Sequence, residues 1–132
     1  MFKKLKHIFL VDDDEDDQLF FLEALQEVDY SIEFTYAENG KKALSKLSDL
    51  AHLPDLIFLD INMPELNGFE CLKELKKCAR LRTIPVIMLS TSVSLQDMTY
   101  SKELGANMFY TKPSSYSKLR DLLQKIISQA SS

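Results

Sequence analysis

Five residues with reactive or charged side chains lie at the ends of short apolar runs in this chain. They are Asp12, Asp13, Asp60, Ser90 and Lys112. If the runs before them are parallel strands of one sheet, the carboxyl ends of the strands lie at one edge and bring these side chains together. Three carboxylates, a hydroxyl and an ammonium in one place form a candidate site for a divalent metal and a phosphoryl group.

The three carboxylates favour a hard cation. Two like charges about 5 Å apart repel by roughly 3 kcal/mol at an effective dielectric constant of about 20. Mg²⁺ relieves such repulsion and prefers carboxylate, carbonyl and water oxygens, and Mn²⁺ accepts the same oxygens. We expect Asp13, Asp60 and the backbone carbonyl of Asn62 to be direct ligands, with Asp12 acting through water.

Asp60 is the candidate nucleophile, because an aspartate can form an acyl phosphate. Lys112 would then neutralise charge on the phosphoryl oxygens, and Ser90 would donate a hydrogen bond to them. Such a transfer depends on positioning and charge stabilisation, so it needs no general base.

The elements that must position these residues alternate regularly between strand and helix. Continuous apolar runs predict buried strands, whereas the more alternating 32–37 predicts a strand nearer an edge. The predicted strands are about 7–12, 32–37, 55–60, 85–90 and 108–112. The predicted helices are about 15–28, 39–51, 68–79, 94–104 and 115–129.

This (βα)5 pattern predicts a doubly wound, flavodoxin-like α/β sandwich of three layers, with the parallel strands in the order 2-1-3-4-5. Asp12, Asp13 and Asp60 would then follow neighbouring strands, at the point where the winding reverses. We expect a single domain over 1–132, with its core at about 5–129 and no separate output domain.

Composition narrows the class of protein. The formal net charge of −4 comes without a basic stripe, which argues against nucleic acid as a partner. No signal peptide or membrane span is visible, so we expect a cytoplasmic location. Cys71 and Cys78 are expected to be free thiols, and His7 and His52 show no spacing typical of zinc ligands.

At these residues the sequence resembles the receiver domains of two-component response regulators. The motifs, in order along almost the whole chain, are Ile8–Asp14 (IFLVDDD), Leu59–Gly68 (LDINMPELNG), Ile84–Ser90 (IPVIMLS), Gly105–Asn107 (GAN) and Lys112-Pro113. The resemblance is to single-domain, CheY-like receivers, including those that serve phytochrome-type kinases.

The resemblance implies a role for each site residue. Asp60 would accept a phosphoryl group from a sensor histidine kinase or a histidine phosphotransfer protein. Asp12 and Asp13 would bind Mg²⁺, and Lys112 would contact the phosphate. Ser90 and the aromatic Phe109 would form the switch. Phe109 has no hydroxyl where a tyrosine would have one, so switching would depend on packing.

The resemblance also implies that the protein is not an enzyme beyond its own phosphoryl transfer and slow autodephosphorylation. It implies signalling through contacts with an unidentified output protein, as a monomer or weak homodimer. The Lys112-Pro113 peptide bond is expected to be cis, as X-Pro bonds can be.

Other functions and roles remain open from the residues alone. The chain could be a constitutive interaction module, or a phosphatase that uses Asp60 as its nucleophile. Phosphatases of the haloacid-dehalogenase type usually carry an acidic residue two positions after the nucleophile, where this chain has Asn62. An FMN carrier would need a Ser/Thr/Gly-rich loop after the first strand.

Two groups of residues could have purely structural roles. Residues 14–17 are expected to be a solvated, acidic helix start. The side chain of Phe109 could belong to the hydrophobic core.

Overall fold

The computed structural model describes residues 4–63, 66–92 and 94–131 of the chain. Pro64 and Glu65, which belong to one of the quoted motifs, lie outside the described residues. Strands and helices alternate from β1 to α5. Their bounds are β1 His7–Val11, α1 Glu15–Val28, β2 Glu33–Ala37, α2 Gly40–Asp49, β3 Leu56–Asp60, α3 Gly68–Lys77, β4 Val86–Ser90, α4 Leu95–Glu103, β5 Met108–Thr111 and α5 Tyr116–Ser131.

The five strands form one parallel sheet in the order β2-β1-β3-β4-β5. Every residue of β1, β3 and β4 is buried, because these central strands are covered on both faces. The edge strands β2 and β5 are partly exposed. The predicted strand order, the edge position of β2 and the doubly wound fold are therefore confirmed.

Two apolar layers hold the sheet between its helices, because successive side chains of a strand point to opposite faces. Ile8 and Leu10 of β1 pack with residues of α1 and α5, and Phe9 and Val11 pack with residues of α2 and α3. Leu123, Ile126 and Ile127 of α5 are buried in the first layer, and Leu119 and Leu122 pack against it.

Polar caps set where four of the helices begin. The side chains of Asp14, Asn39, Asn67 and Ser94 accept hydrogen bonds from the first turns of α1, α2, α3 and α4. Such caps satisfy backbone N–H groups that have no partner within the helix. All ten elements lie within about two residues of the bounds predicted from the sequence.

One glycine fixes the connection that follows β3. The backbone N–H of Gly68 donates to the carbonyl of Ile61 at 3.1 Å. A Cβ at position 68 would lie 2.5 Å from the carbonyl oxygen of Asp60 and 2.7 Å from Cα of Ile61. The start of α3 can therefore sit directly against the end of β3 only because residue 68 has no side chain.

No helix in the described ranges is long and apolar enough to cross a bilayer. Cys71 and Cys78 are free cysteines, as the sequence predicts.

Candidate phosphoryl and metal site

The register of the sheet places the predicted site residues at one edge. Asp60 and Ser90 are the last residues of β3 and β4, and Asp12 follows β1 directly. Asp60 lies opposite Leu89, and Ser90 lies opposite Thr111, the residue before Lys112. The side chains that the sequence places after separate apolar runs are thus collected at the carboxyl ends of the strands.

Three carboxylate side chains form a cluster at this edge of the sheet. One carboxylate oxygen from each of Asp12, Asp13 and Asp60 lies within 4.8 Å of the other two. Asp12 and Asp60 are each only 2% exposed, whereas Asp13 is exposed. Three oxygens at this spacing can share one divalent cation, and the exposed Asp13 leaves a side open to solvent.

The ammonium of Lys112 lies in direct contact with two of these acids. Its Nζ lies 2.9 Å from Oδ2 of Asp12 and 3.3 Å from Oδ2 of Asp60. Its side chain thus reaches from the end of β5 to Asp60 at the end of β3. Its shortest ion pair is with Asp17, at 2.7 Å.

The Asp17 pair corrects the expectation that residues 14–17 are only a solvated helix start. Asp14 does cap α1, through a hydrogen bond from the backbone N–H of Asp17. Asp17 is one helical turn further on, and its side chain, 38% exposed, turns to Lys112. The first turn of α1 faces the strand ends, which the acidic composition of the segment does not reveal.

Burial perturbs the acids of the site. Removal from water raises the pKa of Asp12 to about 6, in spite of a hydrogen bond from the backbone of Asp14 and the charge of Lys112. Burial likewise raises the pKa of Asp60. For Lys112 burial acts to lower the pKa, but hydrogen bonds to Asp17 and Asp12 hold it above its usual value. One ammonium therefore compensates the buried carboxylates only in part.

Backbone N–H groups orient the two buried carboxylates. Oδ1 of Asp12 accepts from the N–H of Asp14 at 3.0 Å, and Oδ1 of Asp60 accepts from the N–H of Asn62 at 3.1 Å. Gln18 donates from its side chain to the carbonyl of Asp12 at 2.7 Å. Asp60 thus has one oxygen fixed by the backbone and the other directed to Lys112.

The loop after β4 is linked to the loop after β3. Oδ1 of Asn62 accepts hydrogen bonds from the N–H of Thr91 at 3.3 Å and from its hydroxyl at 3.2 Å. Ser90 is buried, whereas Thr91 and Ser92 are exposed, so Ser90 is the hydroxyl at the strand end. Sequence reasoning assigned Asn62 a role only through its backbone carbonyl. A side chain that bridges two loops leaves no periodic signal in a sequence.

Two further expectations concern β5 and the residue after it. Phe109 is partly buried against the apolar layer on the α2–α3 face, and it lines a cavity of about 420 Å³ together with Leu95 and Met98 of α4. The prediction of a cis peptide bond between Lys112 and Pro113 is wrong, because the described residues contain no cis peptide bond. The trans form is the one that X-Pro bonds intrinsically favour, by roughly 0.5–1 kcal/mol.

Comparison with known proteins agrees with this geometry. A family model described as the response regulator receiver domain matches residues 8–124. Response regulator Rcp1 of Synechocystis is 33% identical over 126 residues, covering 92% of this chain and 86% of Rcp1. Two-component response regulator ORR3 of Oryza sativa is 34% identical over 121 residues, covering 92% of this chain and 90% of ORR3.

Solved structures give the same result. The phosphorylated cyanobacterial phytochrome response regulator RcpA matches with a TM-score of 0.84 and 35% identity, over 92% of this chain and 91% of RcpA. The Mn²⁺-bound form of Rcp1 matches with a TM-score of 0.81 and 33% identity, over 93% of this chain and 92% of Rcp1. The chain therefore belongs to the family of response regulator receiver domains of two-component signalling systems.

Proposed function

We propose that this protein is a receiver that accepts a phosphoryl group on Asp60 in a Mg²⁺-dependent reaction. The observation that carries the proposal is the contact of Asp60 with Lys112 at 3.3 Å, inside a cluster with Asp12 and Asp13. A buried carboxylate beside an ammonium and a candidate cation site has the groups that acyl phosphate formation requires.

The transfer involves one bond made and one bond broken. A carboxylate oxygen of Asp60 attacks phosphorus and forms a P–O bond. The bond from phosphorus to the donor breaks, and the leaving atom of the donor keeps the electron pair. With a phosphohistidine donor that atom is an imidazole nitrogen. Lys112 balances charge on the phosphoryl oxygens, and Ser90 donates a hydrogen bond to one of them.

The donor set fits a hard divalent cation. Asp12, Asp13, Asp60 and the backbone carbonyl of Asn62 would hold Mg²⁺ or Mn²⁺, and Asp12 would act through water. When bound, the cation supplies charge neutralisation at the carboxylates and the phosphoryl oxygens. Support comes from the oxygen spacing within 4.8 Å and from the relative Rcp1, which has a Mn²⁺-bound form.

The proposed donor is a sensor histidine kinase or a histidine phosphotransfer protein, and the proposed output is contact with another protein. As a single domain over 1–132, the receiver would act in the cytoplasm as a monomer or weak homodimer. It would catalyse only its own phosphoryl transfer and slow autodephosphorylation. Its similarity to the phytochrome response regulator RcpA supports a kinase of the phytochrome type.

The proposed switch pair is Ser90 and Phe109. Ser90 would move to a phosphoryl group on Asp60, which requires the loop that begins at Thr91 to shift. The hydrogen bonds from Thr91 to Asn62 hold that loop in the described state. Phe109 would respond by repacking into the cavity beneath α4, because it has no hydroxyl with which to form a new hydrogen bond.

Two alternatives give different outcomes. A phosphatase would need a general acid near Asp60, but the residue two positions on is Asn62, whose side chain is engaged with Thr91. A constitutive interaction module would keep the site without cycling. Nothing in the geometry of Asp60 favours that alternative.

One experiment separates the three functions. The protein and its Asp60→Ala variant are incubated with Mg²⁺ and acetyl phosphate, and the intact mass is followed over time. We expect a single, slowly lost phosphoryl adduct on the wild type and none on Asp60→Ala. Rapid multiple turnover of phosphoesters would favour the phosphatase, and no adduct under any condition would favour the constitutive module.

A further inference from the structure

The contact between Lys112 and Asp17 has no part in the proposed phosphoryl transfer. Asp17 lies in the first turn of α1 and is absent from the group of three acids that could hold a metal ion. Yet its distance to Lys112, 2.7 Å, is shorter than the 3.3 Å between Lys112 and Asp60. The ammonium thus lies nearer to the carboxylate of Asp17 on α1 than to the carboxylate proposed to react.

Lys112 has no spare hydrogen-bonding capacity in this arrangement. An ammonium has three N–H donors, and three carboxylates, those of Asp12, Asp17 and Asp60, lie within ion-pair distance of it. A phosphoryl group added to Asp60 brings further anionic oxygens that compete for the same donors. The reaction itself consumes the charge of the Asp60 carboxylate, so the donor that Asp60 held passes to a phosphoryl oxygen. A second phosphoryl oxygen can bind Lys112 only if Asp12 or Asp17 weakens its hold.

Exposure decides which partner gives way. The side chain of Asp12 is only 2% exposed, so release of the ammonium would leave a buried carboxylate without its cation, which is costly. The side chain of Asp17 is 38% exposed. Its carboxylate can be rehydrated at little cost, as is usual for ion pairs at a surface.

There is also room for Asp17 to turn away. Asp17 and Lys112 line a cavity of about 250 Å³ between α1 and the start of α5, with Phe20, Pro113 and Tyr116 on its walls. The Asp17 side chain therefore has open space beside it and solvent within reach.

We propose that Asp17 is a positioning residue that holds Lys112 towards α1 and competes with the phosphoryl group for it. This inference rests on the proposed function of Asp60. Asp17 weakens binding of a phosphoryl group in two ways that act in the same direction. It shares the charge of Lys112, and it adds a negative charge near an incoming anion. Removing its charge should therefore strengthen the site for phosphoryl groups and leave the metal ligands in place.

The test compares Asp17→Asn with Asp16→Asn. Asp16 is a matched control because it lies in the same helical turn, is exposed and has the same charge, but forms no ion pair with Lys112 among the described residues. Binding of beryllium trifluoride, an analogue of the phosphoryl group, is measured by calorimetry in saturating Mg²⁺. We expect affinity to rise about two- to fivefold for Asp17→Asn, the range of a partly exposed ion pair, and to change little for Asp16→Asn.

A second measurement and a second variant make the outcome decisive. Phosphorylation by acetyl phosphate should be faster for Asp17→Asn, while Asp17→Glu, which keeps the charge, should behave like the wild type. Equal or weaker binding by Asp17→Asn, with its thermal transition retained, would overturn the inference. If the wild type itself binds no analogue and accepts no phosphoryl group, the proposed function fails, and this inference fails with it.

Discussion

At the scale of single residues, the site buries carboxylates in surroundings that destabilise their ionised form. Asp12 and Asp60 are almost fully buried, and burial raises the pKa of both. Lys112 is the ammonium within ion-pair distance of both. Much of the affinity for a divalent cation would come from relief of this conflict, because a cation replaces the water that the carboxylates lose.

The first prediction concerns the stability of the metal-free protein. The pKa of Asp12 is about 6 when folded, above its ordinary value of 3.8, so the folded state binds this proton more tightly than the unfolded state does. Charged Asp12 therefore costs stability above pH 6, by about 1–3 kcal/mol, and the cost disappears as pH falls from about 6 to about 4. In EDTA, Asp12→Asn should melt at a higher temperature than the wild type at pH 7.5 and lose that advantage near pH 4.5.

Exposed Glu23 provides the control, since Glu23→Gln also removes one acid from the α1 region. This variant should show no comparable change between pH 7.5 and 4.5. Adding Mg²⁺ at pH 7.5 should stabilise the wild type more than Asp12→Asn. A lower melting temperature for Asp12→Asn at pH 7.5 in EDTA would contradict the account of a strained carboxylate.

The sequence predicts the members of this site that stand at strand ends, because a strand end is visible as the limit of an apolar run. Asp12, Asp60 and Ser90 are of this kind. It does not predict the pair between Asp17 and Lys112 or the bridge from Asn62 to Thr91. Those contacts depend on how a helical turn and a loop side chain are oriented, and neither orientation leaves a pattern in the residue types.

At the scale of elements, two close contacts hold helices in place, one beside the site and one at the opposite edge of the sheet. The start of α3 lies against the end of β3 because Gly68 has no side chain, and Asn67 and Glu70 close that end of the helix with reciprocal hydrogen bonds. On the same face, Arg80 donates to the carbonyls of Leu47, Ser48 and Leu50 at the end of α2. The first contact fixes the connection between two consecutive elements, and the second ties the loop after α3 to the end of α2.

The second prediction follows from the Gly68 contact. In Gly68→Ala the added methyl group would meet the backbone of Asp60 and Ile61, which cannot yield as a flexible side chain can. Overpacking of this kind costs about 1–3 kcal/mol. Urea unfolding should show a loss of that size. Ser45→Ala, on the exposed face of α2, should show almost none, and equal midpoints for the two variants would contradict the packing argument.

The third prediction concerns Arg80. Arg80→Lys keeps the charge but loses the planar fork that reaches several carbonyls at once, so the end of α2 should loosen. We expect a loss of about 1 kcal/mol and faster amide hydrogen exchange in the last turn of α2. Arg82→Lys is the matched control, because Arg82 is exposed and no side-chain contact is described for it. Unchanged amide hydrogen exchange in Arg80→Lys would show that the hydrogen bonds of Arg80 do not stabilise the last turn of α2.

The positions of the elements could be predicted to within about two residues, and the caps explain why. Asn39, Asn67 and Ser94 are residue types that favour helix starts, and each is a cap in the structure. The contact of Arg80 with α2 could not be predicted, because it joins residues more than thirty positions apart. The bond between Lys112 and Pro113 is trans, although the family resemblance implied cis.

At the scale of the whole molecule, the fold places the site residues at the carboxyl ends of the strands, beside the point where the winding of the sheet reverses. Two apolar layers fix the sheet, and the sheet fixes the order in which strand ends meet. The alternation of strands and helices is enough to predict this architecture, because few topologies allow five parallel strands to be covered on both faces. The family model over residues 8–124 agrees with it.

The central claim is that Asp60, and no other carboxylate of the cluster, accepts the phosphoryl group. Its most direct test is chemical trapping: the protein is treated with Mg²⁺ and acetyl phosphate and then reduced with borohydride, which converts an aspartyl phosphate into homoserine. Peptide mapping by mass spectrometry then locates the converted residue. The account predicts homoserine at position 60 alone, and only when Mg²⁺ is present. Homoserine at Asp12, Asp13 or Asp17, or conversion in EDTA, would contradict it.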